Sequence, residues 1–74
     1  MWITGRLISV QEQRFRILTA EGQVYQLTLA RDAPLDAADL ASLHAHGSSV
    51  SVEFTGEPNY ADGVAHSVQQ KGRQ

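Results

Sequence analysis

Two alternating segments joined by a short turn at Gly22 constrain the fold of this chain more than any other feature. In the segment 14–19, every second residue from Phe15 is apolar or β-branched, and in the segment 24–29, every second residue from Tyr25 is apolar. Such alternation predicts two β-strands that each have one buried face. Gly22 can adopt the positive φ that a tight turn or a G1 bulge needs. The stretch therefore predicts an antiparallel hairpin.

A first strand is predicted over residues 2–10, and it must contain an irregularity. Gly5 interrupts this strand, as glycines do where a strand bends around the corner of a barrel. The apolar residues of the segment cannot share one face of a regular strand; they are Ile3, Leu7, Ile8 and Val10. Further strands are also required, because an isolated hairpin is only marginally stable in water.

Residues 49–55 show the clearest alternation in the chain, with Val50, Val52 and Phe54 separated by polar side chains. This pattern predicts a half-buried strand. The segment that follows, 56–63, is rich in Gly, Pro, Asn and Asp, so it predicts a loop.

Residues 64–68 predict the last strand. Valines flank His66 at period two, which predicts a partly buried histidine with a hydrogen-bond partner. The sequence then has no further apolar residue, so its end is expected to be frayed from Gln69 onward. The chain is therefore expected to form one domain over residues 1–69 and a disordered tail over residues 70–74.

After the hairpin, residues 36–47 carry helix signals at both ends. Asp36 is a favourable N-cap residue, and Gly47 is favourable just past the C-terminus. Leu40 and Leu43 form a narrow apolar stripe between them. A helix this short cannot stand alone, so we expect it to plug one end of a barrel.

Composition limits the kinds of function that the chain can have. It has 74 residues, a formal net charge of -2 and no cysteine. The charge gives no electrostatic reason for tight binding to a polyanion, and disulfides and thiolate metal sites are excluded. No apolar run approaches the ~18 residues of a membrane span, and the first residues do not resemble a signal peptide. We therefore expect a cytoplasmic protein without a membrane partner.

The predicted order is three strands, a short helix and two strands. This order resembles the OB-fold, a five-stranded, partly closed Greek-key barrel with a helix between its third and fourth strands. The resemblance covers about residues 2–68 and concerns architecture, since the first two strands lack the Gly- and Phe-rich pattern of cold-shock proteins. The fold class is thus mainly β with one short helix. An SH3-like barrel is the alternative, although it more often has a short 3₁₀ turn where this chain has a helix.

The resemblance also implies a binding surface. OB-folds commonly hold ligands on the face of strands 2 and 3, between the loops that join strands 1–2 and strands 4–5. Carried over by position, the candidate surface comprises Arg14, Arg16, Leu18, Val24, Gln26, Thr28 and, in the flanking loop, Tyr60. Two arginines beside a tyrosine have the chemistry to hold a phosphate and stack a base.

Two interpretations of this surface remain open. Glu12, Glu57 and Asp62 lie in the flanking loops, so the arginines can be solvated residues that pair with nearby carboxylates. Alternatively, the surface binds a partner. We expect a non-catalytic binding or adaptor module that acts on a protein through the strand 2–3 face and the loop 56–63. The alternative is weak single-stranded nucleic-acid binding through the same surface.

Neither a metal site nor catalysis is predicted. His44 and His46 are two apart in the predicted helix, so they point about 200° apart and are better explained by the helix dipole. Ser48, Ser49 and Ser51 lack a glycine-framed nucleophile elbow, and no dinucleotide or P-loop motif is present. A chain this small also has little room for a pocket of about 300 Å³. We therefore expect no cofactor, no metal and no enzymatic activity.

Trp2 is the remaining unusual residue. We expect it to fold into the core, and the alternative is a surface position beside Tyr60 that marks a contact patch. A small barrel with an open edge at its first or last strand is also able to pair edge to edge as a homodimer.

Overall fold

Each alternating segment forms a strand in the computed structural model, which describes residues 1–60 and 62–70. The elements in chain order are β1 (Trp2–Gln11), β2 (Arg14–Leu18), β3 (Val24–Leu29), α1 (Ala37–His46), β4 (Ser49–Thr55) and β5 (Val64–Gln70). The strands close into a barrel in the order β1-β2-β3-β5-β4, and β1 also pairs with β4. The predicted fold class, mainly β with one short helix, is confirmed.

The pairings between strands define the topology. Those of β1 with β2, β1 with β4, β2 with β3 and β4 with β5 are antiparallel, whereas β3 and β5 are parallel. This closed barrel with a helix after β3 is consistent with an OB-like architecture. The SH3-like alternative does not describe it, because a ten-residue α-helix occupies the position of the 3₁₀ turn. The closure between β3 and β5 rests on two residue pairs, Thr28 with Val64 and Leu29 with Ala65, so edge-to-edge pairing as a homodimer stays a prediction.

The turn between β2 and β3 has the predicted geometry. The Gly22 N–H donates to the Thr19 carbonyl oxygen at 3.0 Å, and the Thr19 N–H donates to the Gln23 carbonyl oxygen at 2.9 Å. Gly22 adopts a φ of 86°, as the glycine of a G1 bulge does. The glycine therefore sets the register in which β2 and β3 pair.

The expected irregularity in β1 has two parts. The pairing with β2 shifts between Leu7 and Ser9, so Val10 packs against the core although it lies three residues, an odd number, after the buried Leu7. At Gly5, a Cβ atom would lie 2.3 Å from the Leu18 carbonyl oxygen, so β1 can approach β2 this closely only with a glycine. Together, the bulge and the glycine let β1 bend and pair with both of its neighbours.

The core is built from the inward-facing side chains of all five strands and one residue of α1, Leu40, which is 0% exposed. Because the barrel is closed at its sides, a helix side chain reaches this core only through an open end. The helix contacts β1 and therefore covers that end, as expected. The buried core residues are Leu7, Phe15, Ile17, Leu27, Leu29, Leu40, Val50, Val52, Phe54, Ala65 and Val68.

Both ends of α1 follow the sequence signals. The Asp39 N–H donates to Asp36 Oδ1 at 3.0 Å, and the Asp36 N–H donates to Asp39 Oδ2 at 3.0 Å, which forms a capping box. Gly47 ends the helix with a φ of 65°. The helix boundaries are therefore determined by local hydrogen bonding.

The register predicted for the last strand was wrong. The pairing with β4 shifts between Glu53 and Phe54, and the extra residue in β5 is His66. The prediction placed Val64, His66 and Val68 on one face. In the structure Ala65 and Val68 are buried and His66 is exposed. Its Nε2 atom lies 2.8 Å from the hydroxyl oxygen of Thr55, so the expected hydrogen-bond partner exists at the surface.

The last strand is also longer than predicted. Gln69 pairs with Ser51, and Gln70 pairs with Val50, so β5 continues beyond the last apolar residue. Backbone pairing does not require apolar side chains, so the last apolar residue was a poor guide to where β5 ends. The rest of the predicted tail, residues 71–74, lies outside the described residues.

Candidate binding surface

The outer face of β2 and β3 brings together six of the seven residues predicted for the site. They form three cross-strand pairs: Arg14 with Thr28, Arg16 with Gln26 and Leu18 with Val24. Because side chains alternate between the two faces of a strand, this set points outward while the intervening residues fill the core. The set has an arginine-bearing end and an apolar end.

The arginine-bearing end of this face forms a groove of about 200 Å³, which we call the polar groove. Arg14, Arg16 and Gln26 line it, together with Ser9 and Gln11 of β1. The Arg16 Nε–H donates to Gln26 Oε1 at 3.3 Å. The partner that the structure gives to Arg16 is therefore a neutral amide, which orients the guanidinium without cancelling its charge.

The loop 56–63 is attached to β3 through Asn59. The Asn59 N–H donates to the Gln26 carbonyl oxygen at 2.8 Å, and Asn59 Oδ1 accepts from the Gln26 N–H at 2.7 Å. Asn59 has a φ of 74°, a conformation that asparagine tolerates better than most residues. Asn59 thus pairs with β3 in the way that a residue of a neighbouring strand would.

Two glycines hold the ends of this loop together. Gly56 has a φ of 78°, and a Cβ there would lie 1.9 Å from the Asp62 carbonyl oxygen. A Cβ on Gly63 would lie 2.5 Å from the Glu57 carbonyl oxygen. The Tyr60 N–H also donates to the Glu57 carbonyl oxygen at 3.2 Å. The loop is therefore anchored both internally and on the strand.

Tyr60, the seventh predicted residue, lies beside the face. It follows Asn59 directly in the chain and is 70% exposed, but it does not line the polar groove. Tyr60 is therefore an exposed loop residue next to the contact with β3 and outside the polar groove.

A second groove, of about 600 Å³, lies at the end of the barrel opposite α1, and we call it the mouth. It is formed by the start of β1, the β2–β3 turn and the segment after β4, whereas α1 connects the other ends of β3 and β4. From the length of the chain we expected little room for a pocket of about 300 Å³, and the mouth is larger than that. The apolar residues that line it are Met1, Trp2, Ile3, Tyr25, Phe54 and Pro58.

Trp2 belongs to this mouth, so its expected place in the core was wrong. Its side chain is 54% exposed. The residues in phase with it on β1, Thr4 and Arg6, are polar and exposed. The alternation of Trp2 with the polar residues Thr4 and Arg6 could therefore have predicted that Trp2 points outward.

Charges are distributed unevenly between the two grooves. Glu21 lines the mouth, Glu53 is the cross-strand neighbour of Trp2, and Glu57 precedes the mouth residue Pro58. Among the residues that the structure describes, the one positive group that lines the mouth is the Met1 ammonium, which donates to the Phe54 carbonyl oxygen at 3.1 Å, whereas Arg14 and Arg16 line the polar groove. The surface is therefore acidic around its apolar end and basic at its polar end.

The histidines do not assemble into a site. No three His, Cys, Asp or Glu side chains within residues 1–60 and 62–70 are placed to share a metal ion. His44 and His46 are exposed in the last turn of α1, where the His46 Nδ1 atom lies 2.7 Å from the Ser42 carbonyl oxygen. These two residues therefore lie at the helix end that favours a positive charge.

Comparisons with known proteins add no relative: no family model matches, and neither the curated proteins nor the solved structures give a significant match. Within the described part of the chain, no helix has the length and apolar character that crossing a membrane would require. The function must therefore be inferred from the geometry and charge of the two grooves.

Proposed function

We propose that this chain is a non-catalytic, cytoplasmic binding module that holds an acidic group of a partner protein in the polar groove. The observation that carries the proposal is the exposed pair Arg14 and Arg16, of which Arg16 is oriented by the neutral Gln26. A guanidinium can donate two parallel N–H bonds to a carboxylate, which makes arginine well suited to this task. The two arginines are about 7 Å apart along β2, which matches carboxylates two residues apart in an extended segment.

The loop 56–63 supports this proposal as a prearranged flank. Asn59 and the two loop glycines hold the backbone next to Gln26, so little conformational entropy is lost when a ligand contacts it. Tyr60 offers the ligand a ring and a hydroxyl group on a side chain with few rotamers. Tyrosines with these properties are frequent in protein interfaces.

The test is a nitrogen–proton NMR titration with the peptide acetyl-Ser-Ser-Asp-Ser-Asp-amide at low salt. We expect shifts at Arg14, Arg16 and Gln26, and about fivefold weaker binding for Arg16→Gln, because each exposed charge-assisted contact is worth roughly 1 kcal/mol. Arg31→Gln is the matched control, since Arg31 is exposed but follows β3 outside the polar groove. No shifts at millimolar peptide, or an equal loss in Arg31→Gln, would overturn the proposal.

Single-stranded nucleic acid is the second candidate, favoured by the exposed Tyr60, which follows the residue that contacts Gln26 of the polar groove. Its affinity should fall with salt with a slope of about -0.7 for each phosphate contact on a single strand. The same titration with short oligothymidylate separates the candidates. Tighter binding to the oligonucleotide than to the peptide, reversed steeply by salt, would replace the protein partner with nucleic acid.

A further inference from the structure

We infer that the mouth is a docking pocket for one bulky apolar side chain of the same partner segment, about three residues from its first acidic residue. This inference rests on the proposed function, because it extends the ligand that occupies the polar groove. The mouth is largely apolar and partly open, and Trp2 lines it. None of the contacts described above explains why this tryptophan is more than half exposed. A large exposed tryptophan beside a groove is typical of an interaction site.

The two grooves are connected along the outer wall of β1 and β2. A third groove of about 330 Å³ lies between them, and Arg6 and Leu18 line it. Thr4 and Thr19 line both this wall groove and the mouth. Toward the other end, Leu18 lies two residues from Arg16 on the same face of β2. One extended ligand can therefore follow the wall from the mouth to the polar groove.

Strand geometry sets the spacing that such a ligand needs. Thr19 at the mouth directly follows β2. From Thr19 back to Arg16 is three residues of extended chain, or about 10 Å, and to Arg14 is five residues, or about 17 Å. An extended peptide has almost the same rise per residue. A matching ligand therefore carries acidic residues three and five positions from its apolar anchor.

The charges around the mouth favour a polypeptide over a nucleic acid at this position. Glu21, Glu53 and Glu57 would repel the phosphate groups that accompany a base stacked on Trp2. The same carboxylates would attract a basic residue on the far side of the apolar anchor. The charge pattern thus selects a segment with the order basic, apolar, then acidic.

Trp2 provides its own reporter, since it is the single tryptophan of the chain. The probe is the peptide acetyl-Lys-Phe-Ser-Ser-Asp-Ser-Asp-amide, and its control has alanine in place of phenylalanine. We expect the phenylalanine peptide to shift the Trp2 emission to the blue, to protect it from acrylamide quenching and to bind about tenfold more tightly than the control.

Variants separate docking from a general effect on folding. Trp2→Ala should abolish the difference between the two peptides, whereas Trp2→Phe should restore most of it, both measured by nitrogen–proton NMR. Because Trp2 is more than half exposed, both variants are expected to keep the wild-type spectrum elsewhere.

Four outcomes would change the conclusions. Equal binding of the two peptides that still requires Arg16 would overturn the docking pocket and leave the proposed function standing. Binding that requires the phenylalanine but tolerates Arg16→Gln would overturn the proposed function and support the mouth as an apolar site. Absence of binding by both peptides would overturn both. A Trp2 emission shift produced by protein concentration alone would identify a second copy as the occupant and also overturn the inference.

Discussion

Replacing Gly56 with alanine should destabilise the protein far more than the same change at Gly22. The two glycines have similar positive φ values, 78° and 86°, so an alanine adopts an unfavourable left-handed conformation at both, at about 1 kcal/mol each. At Gly22 an added Cβ meets nothing within 4 Å, whereas at Gly56 it lies 1.9 Å from the Asp62 carbonyl oxygen. A comparison of the two variants therefore separates the steric contribution to the loss of stability from the conformational contribution.

The size of the steric contribution follows from this contact. The Asp62 carbonyl belongs to the backbone, so the loop itself must move by about 1 Å to remove the overlap. Overpacking of this kind costs about 1–3 kcal/mol. We expect Gly56→Ala to lose about 2–4 kcal/mol and Gly22→Ala about 1 kcal/mol. A domain of this length has only about 4–11 kcal/mol of stability in total.

Urea denaturation followed by circular dichroism measures both free energies of unfolding, and comparable slopes would confirm that the unfolded states are comparable. In thermal unfolding, each 1 kcal/mol should lower Tm by about 4–8 °C. In the nitrogen–proton spectrum, Gly56→Ala should move the signals of Asn59 and Gln26, and Gly22→Ala should not. Equal losses in the two variants, with an unchanged loop spectrum for Gly56→Ala, would refute the steric argument.

Two further predictions concern the loop anchor and the helix. Asn59→Ala removes the acceptor for the Gln26 N–H and places alanine at a positive φ, so it should lose about 1–2 kcal/mol and speed hydrogen exchange at Gln26. Asn59→Asp retains the acceptor, so its free energy of unfolding should stay within about 0.5 kcal/mol of the wild-type value. Equal losses in the two variants would show that the Asn59 side chain does not hold the loop on β3 through this hydrogen bond. Leu40→Ala creates a cavity in the core and should lose about 2–5 kcal/mol in urea denaturation. Leu43→Ala, at a half-buried position, should lose less than half as much, and the reverse order would show that α1 packs differently.

Local rules were sufficient to predict most of the fold. Gly22 and the alternation around it determined the β2–β3 hairpin, and Asp36 and Gly47 marked the ends of α1. Each of these features depends on hydrogen bonds and side-chain periodicity within a few residues. The outward set on β2 and β3 follows from the same periodicity, so the shared face of these six candidate residues could be predicted, whereas their role in binding stays a prediction.

Features that depend on distant partners were missed. A bulge inserts one residue and reverses the phase of everything after it, so the alternation around His66 could not show which side of β5 is buried. The attachment of Asn59 to Gln26 joins residues far apart in sequence, and nothing local predicts it. The mouth was missed for a related reason, because it is assembled from three separate segments around Trp2.

The short parallel pairing of β3 with β5 has a consequence for how the barrel forms and opens. It consists of two residue pairs, Thr28 with Val64 and Leu29 with Ala65, extended by the contact between Asn59 and Gln26. Hairpins close short loops and can form early, whereas this junction joins segments separated by α1 and β4 and carries a larger entropic penalty. We therefore expect it to form late in folding and to open first in the native state. Since Gln26 belongs both to this junction and to the polar groove, a ligand held there would also keep the barrel closed.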